Sequence, residues 1–198
     1  VKNFLRIAEG IDVMPLLLAI QRKSHLWQED TFLRHYPQGP FGEVETIFLR
    51  FPERVVFDDE DPAEQERKVA LYKQNLLPGY DQHESIDYPA YAELPEARPL
   101  ITSLMARLGG TRLGRCMVNK VNPGGQIFPH ADSPEHVSYW NNRMHIVLQS
   151  DPGNVFKCGD EQVWMRQGEV WWFDHGVEHA VINNSASERI HLICDIRT

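Results

Sequence analysis

Arg189-Ile190-His191-Leu192-Ile193-Cys194-Asp195-Ile196 alternates between two chemistries, with Ile, Leu, Cys and Ile at even positions and Arg, His, Ile and Asp at odd ones. Side chains on a strand point to opposite faces with period two, so the run predicts a strand between an apolar core and a polar interior. Arg143-Met144-His145-Ile146-Val147-Leu148-Gln149 repeats the pattern, with Arg143, His145 and Gln149 on one face and Met144, Ile146 and Leu148 on the other. Around these two, the runs 117–121, 155–157, 162–165, 170–173 and 177–182 are separated by Gly, Pro, Asn or Asp clusters. Short strands at such intervals predict a β-sandwich or barrel from Thr111 onward.

Upstream, residues 3–8 predict a strand, and Asp12 before Met14-Pro15-Leu16-Leu17-Leu18-Ala19-Ile20 predicts an N-capped helix with proline in its first turn. Residues 44–51 read as a strand bounded by Pro37-Gln38-Gly39-Pro40 and Pro52. An acidic loop at 58–61 leads into a solvated helix over 62–74, and 95–108 predicts a helix stopped by Gly109-Gly110. The expectation is one domain over 1–198, in which 1–110 support and cover a core formed by 111–198. The upstream helices would lie on the outer face of one sheet.

Two motifs carry chemistry. On extended backbone, His130 and Asp132 of His130-Ala131-Asp132 share a face, and His179 can reach the same ion from the separate strand candidate at 177–182. Two imidazoles and one carboxylate bind one face of a metal and leave the other open, as in non-heme Fe(II) oxygenases. Arg189 and Arg143 present guanidinium groups from the polar faces of their strands, and a guanidinium grips a carboxylate through two parallel hydrogen bonds. Half-exposed strands with solvent-facing Arg and His would show the same alternation.

The ordered series Asn122-Pro123-Gly124-Gly125-Gln126-Ile127-Phe128-Pro129-His130, Arg143-Met144-His145, Phe173-Asp174, Glu178-His179-Ala180-Val181 and Arg189 with Asp195 resembles the aspartyl/asparaginyl β-hydroxylase family, over roughly 111–197. The resemblance implies a mainly β fold with supporting helices, a double-stranded β-helix of jelly-roll, cupin-like type. It implies Fe(II), 2-oxoglutarate and dioxygen as cofactor and co-substrates, and hydroxylation of an aliphatic carbon in an amino-acid side chain. That side chain could belong to a free amino acid, a peptide or a protein. His130 and His179 would be iron ligands, Arg189 would pair with the distal carboxylate of 2-oxoglutarate, and Arg143 and His145 would lie near its chelating end. Asn119 falls where the family often has a serine that touches the co-substrate. Asp132 departs from the best-known animal members, which lack this carboxylate, and the segment 133–142 is longer than theirs.

The remaining candidates are weaker. His136 and His175 could touch substrate, Trp140, Trp171 and Trp172 could line a pocket, and Asp174 could hydrogen-bond a ligand imidazole. Asp195 could be a structural partner on the Arg189 face. A net charge of −8 over 198 residues argues against a basic nucleic-acid surface. No stretch approaches the roughly 20 apolar residues of a membrane span, which also lowers a lipid substrate. Three widely spaced cysteines, Cys116, Cys158 and Cys194, suit reduced thiols and a cytoplasmic compartment. Two other classes stay open: a cupin-like metalloenzyme that does not use 2-oxoglutarate, and a non-catalytic binding module of the same fold.

Overall fold

The computed structural model describes residues 2–35 and 39–198. The expected turn at Pro37-Gln38 lies outside the described residues. Eight strands from Arg112 onward make up the core: β4 (Arg112–Val121), β5 (Gln126–His130), β6 (Asn142–Gln149), β7 (Asn154–Cys158), β8 (Glu161–Val163), β9 (Val170–Phe173), β10 (His179–Asn183) and β11 (Arg189–Arg197). They are preceded by β1 (Phe4–Ala8), β2 (Val44–Phe51) and β3 (Ile86–Asp87). The large sheet runs β1-β9-β6-β11-β4-β2-β3 and the small one β5-β10-β7-β8. Every pairing is antiparallel. Successive core strands cross from one sheet to the other except at the β7–β8 hairpin, which is the winding of a jelly roll.

The alternation in β11 does what its chemistry requires. Ile190, Leu192, Cys194 and Ile196 join Cys116, Val118, Ile146 and Leu148 in a core on the outer face of the large sheet. That core is closed by α1 (Met14–Arg22), α2 (Leu26–Glu29), α4 (Pro89–Glu93) and α5 (Ala97–Leu108), through residues such as Leu16, Ile20, Leu94 and Ile101. The odd face of β11 is buried as well, Arg189, His191 and Asp195 all being at most 2% exposed. Its polarity therefore reflects a polar interior between the sheets and not solvent. A second apolar cluster, including Val121, Ile127, Phe156, Phe173 and Val181, fills the rest of that interior.

The upstream helices follow their local signals with small shifts. The cap of α1 is Val13, with Asp12 Oδ1 accepting from the Met14 N–H at 3.1 Å. In α3 (Pro62–Lys73), Asp61 caps through Oδ1 to the Ala63 N–H at 3.0 Å, and no residue is buried, as a solvated helix requires. Gly109 ends α5 in the left-handed region at φ 62°, where a side chain would be strained. β1 and β2 do more than cover the core, since they extend its large sheet at opposite sides.

β5, the 3-10 turn Phe32–His35 and four short elements, β3, α2, α4 and α6 (Pro134–Tyr139), are absent from the sequence expectations, the short ones because one or two turns or ladder rungs leave no periodicity to read. In α6, Ser133 caps by accepting from the His136 N–H at 3.3 Å, so most of the long 133–142 segment is helix. Trp140 closes that helix against β4 and is 1% exposed. Gly114 lies directly beneath it, and a Cβ there would meet the indole at 2.6 Å. Gly114→Ala is accordingly expected to cost about 1–3 kcal/mol by overpacking, read as a lower urea midpoint at unchanged slope.

Candidate metal centre

β5 ends and β10 begins side by side, with His130 paired in register to His179. Their ring centroids are 4.3 Å apart. The Nδ1 of His130 lies 2.8 Å from the Phe128 carbonyl and that of His179 2.9 Å from the Val177 carbonyl. A carbonyl only accepts, so each Nδ1 carries the proton and each Nε2 keeps its lone pair for a ligand. Burial pushes the His179 pKa down to about 4, keeping the imidazole neutral at physiological pH.

Asp132 reaches the same point. Its backbone N–H donates to the His175 carbonyl at 3.0 Å, fixing the chain just past β5. One ligand atom from each of His130, Asp132 and His179 lies within 4.8 Å of the other two, a spacing that one cation can bridge. Oδ2 of Asp132 accepts from Arg143 Nη1 and from His175 Nδ1 at 3.1 Å. Both contacts fall on one oxygen, which leaves Oδ1 as the atom available to an ion.

Arg143 lies on the cavity wall, but its nitrogens are engaged. Nε and Nη2 donate to Oδ1 and Oδ2 of Asp195 at 2.7 and 2.9 Å, and Nη2 also reaches His136 Nε2 at 2.8 Å. Burial alone would raise the Asp195 pKa, yet the charge of Arg143 and hydrogen bonds from His136 and Arg143 hold it well below the carboxylate range. Asp132, His136 and His175 also cluster within ligand distance of one another. The guanidinium of Arg143 contacts two of the three, so that cluster is already served by a cation.

Arg189 is different. It is 2% exposed, its Nη2 donates to His191 Nδ1 at 3.0 Å, and its Nη1 has no partner. No carboxylate pairs with it among the described residues, and burial pushes its pKa down to about 9. It lies in a tight recess with Ser150, Asn154 and His191, each of which carries a buried polar atom without a partner. The His130–Asp132–His179 cluster lines a larger cavity of about 110 Å³, and Phe156 lines both spaces. His145 and Asn119 line that larger cavity too, with His145 Nδ1 3.1 Å from His191 Nδ1 and Asn119 Oδ1 accepting from Thr46 Oγ1 at 3.0 Å.

Residues 48–198 match the model of the aspartyl/asparaginyl β-hydroxylase family. The chain belongs to that family. Among solved structures, an oxidoreductase of the 2OG-Fe(II) oxygenase family from Burkholderia pseudomallei is similar over 88% of this chain and 75% of its own, at 15% identity and a TM-score of 0.46. A cupin domain from Bordetella pertussis is similar over 44% of this chain and 85% of its own, at 19% identity and a TM-score of 0.35. A conserved protein of unknown function from Streptococcus pyogenes is similar over 42% of this chain, at 14% identity and a TM-score of 0.33, and the match spans 64% of its length. No curated protein matches the sequence significantly.

Within this β-hydroxylase-family chain, several weaker expectations resolve against their first reading. Trp140, Trp171 and Trp172 are absent from the cavity wall: Trp140 is core, Trp171 donates to Glu169 at 2.8 Å and Trp172 packs toward the helices. Asp174 accepts from the Gly176 N–H at 3.1 Å, and the imidazole it was expected to hold turns to the Val177 carbonyl instead. His136 and His175 contact Arg143 and Asp132. Asp195, by contrast, is the structural partner expected of it, paired with Arg143. Arg115 went unnoticed in the sequence, and His191 was placed on the polar face of its strand without a role. Arg115 shares the parity of Met117 and Asn119 on β4, the signal that could have revealed it.

Proposed function

We propose that this protein is an Fe(II)- and 2-oxoglutarate-dependent hydroxylase of an aliphatic carbon in an amino-acid side chain, free or within a peptide or protein. The observation that carries the reading is the pairing of a converged His130–Asp132–His179 donor set with a buried, uncompensated Arg189 on the same jelly roll. Two imidazoles that turn Nε2 toward the cavity and a carboxylate fit an iron that must keep open positions, and a guanidinium without an anion fits a diacid co-substrate.

When bound, iron with 2-oxoglutarate and dioxygen supplies the oxidation, one oxygen atom ending in succinate as carbon dioxide leaves and the other entering the substrate C–H bond. The chain's own groups hold and orient. His130 and His179 would ligate through Nε2 and Asp132 through Oδ1. Arg189 would take the distal carboxylate, with Phe156 as the ring that a co-substrate approaching it has to pass. Asn119, oriented by Thr46, has amide N–H groups to offer the co-substrate, and His145 borders the same space. Arg143 acts through Asp132, holding one carboxylate oxygen. Ile127, Phe173, Val181 and Ile193 line the cavity with hydrocarbon and limit water near the metal. Among the described residues no helix is long and apolar enough to cross a membrane.

Anaerobic addition of Fe(II) and then 2-oxoglutarate is expected to produce the visible charge-transfer band of the chelate. His179→Ala should abolish it, and aerobic turnover should release succinate. A cupin-like enzyme that does not use 2-oxoglutarate would bind metal without the band. A non-catalytic module would show the band with no succinate.

A further inference from the structure

Arg115 is a cation beside the metal cavity that no carboxylate contacts directly among the described residues. It is half-buried on β4, makes no hydrogen bond or ion pair among the described residues, and its guanidinium carbon lies 5.1 Å from the centre of the Phe51 ring. Its Nε is buried and unpartnered. Asp195, on the adjacent strand, has both oxygens committed to Arg143 and His136. Burial pushes the Arg115 pKa down, and the charges of Asp195 and Asp132, neither in direct contact with it, offset that only in part. In a chain of net charge −8 a guanidinium left unpaired is conspicuous, since acidic residues are in excess.

Its position separates it from the proposed co-substrate site. Arg115 and Phe51 line the metal cavity and also an adjoining annex of about 310 Å³, whose walls include Tyr72, Lys73, Tyr80 and Gln82. The annex holds Arg54, already paired with Asp30 at 2.6 Å, and a single carboxylate, Glu53, which makes no ion pair with Arg115. On β4 the register partner of Arg189 is Val121, six residues from Arg115. Arg115 lines the metal cavity and the annex, whereas Arg189 lines neither and sits in the recess behind Phe156. The two guanidinium groups therefore serve separate spaces.

We propose that Arg115 anchors an anionic group, a carboxylate or a phosphate, on the molecule to be hydroxylated, held where the metal cavity meets the annex. The phenols of Tyr72 and Tyr80 and the amide of Gln82 are the hydrogen-bonding groups that the annex adds. Calling that molecule the substrate rests on the oxygenase reading; the anion site itself does not.

The test titrates Zn(II)-loaded protein, saturated with 2-oxoglutarate, with inorganic phosphate and separately with acetate. The readouts are calorimetry and the Arg115 Nε–H resonance in the wild type. The expected result is one anion bound, a shift of that resonance, and an affinity lowered at least about tenfold in Arg115→Gln, the usual size of one charge-assisted hydrogen bond. Arg189→Gln should leave it unchanged. Phosphate binding without acetate, or the reverse, identifies which anion the site takes. An unshifted Arg115 resonance, or equal binding in wild type and Arg115→Gln, overturns the proposal. The resonance is read in the wild-type chain, so the test survives a poorly folding variant. Loss of the Fe(II) and 2-oxoglutarate band with anion binding intact would instead overturn the oxygenase reading alone.

Discussion

Replacing Arg189 with methionine is expected to raise the thermal midpoint of the metal-free protein while weakening 2-oxoglutarate binding by two orders of magnitude or more. The two effects have one cause. Arg189 is 2% exposed with Nη1 unpartnered and no carboxylate in reach, so the folded chain carries the desolvation cost of a charge without its compensation. A hydrophobic side chain of similar length removes that cost, and replacing buried ionic groups by apolar ones stabilises by about 1–4 kcal/mol where the change is tolerated. The same charge is what a bound carboxylate would neutralise, and losing a desolvated partner of a charge costs about 2–5 kcal/mol of binding. Differential scanning calorimetry of the metal-free protein and titration of the chelate band measure the two sides. A midpoint that falls in Arg189→Met would show that the guanidinium is already compensated, and the carboxylate assignment would lose its support.

Much of this arrangement was legible before any coordinates. The period-two pattern of β11 and β6 placed Arg189, Arg143 and His145 on interior faces, and the His130-Ala131-Asp132 spacing put two donors on one side of the chain. Convergence with His179 followed because β10 pairs with β5 in register at these histidines. What the pattern could not supply was partner choice. Alternation gives the face of a side chain but not its neighbour across a ladder, and Asp195 could face Arg189 or Arg143 until the β11–β6 register set it opposite Arg143. His175 was legible only as a loop histidine, since its contact with Asp132 depends on where two connections cross. The four elements of one turn or one rung were silent for lack of repeats, and Arg115 was hidden by a strand longer than its apolar run, β4 beginning at Arg112 and not at Met117.

Arg143→Met is expected to be the most destabilising single change in the molecule, and a pH series would show why. It strips the cation from Asp195, which is 0% exposed, and from Asp132, whose side chain is 13% exposed. Breaking a buried pair from one side costs about 3–5 kcal/mol. In the wild type the Asp195 pKa is lowered in the fold, so its contribution is present above the ordinary carboxylate range and is lost as pH falls below about 4. In Arg143→Met the His136 contact stays, but the guanidinium charge and its two hydrogen bonds are gone, and burial, the largest cause, then raises the carboxyl pKa. The folded state then binds the proton more readily than the unfolded one, and stability should decline as pH rises through the carboxylate range, opposite in sign to the wild type. Urea midpoints between pH 3 and 7 would record the reversal; parallel slopes would mean that Asp195 is compensated elsewhere. Arg143→Met with Asp195→Leu should regain most of the stability, because both charges leave together. It should not regain metal affinity, since Asp132 would still lack the guanidinium that holds Oδ2 and leaves Oδ1 to the ion. A Zn(II) titration separates those two roles, and full affinity in the double variant would show that His175 alone positions the carboxylate.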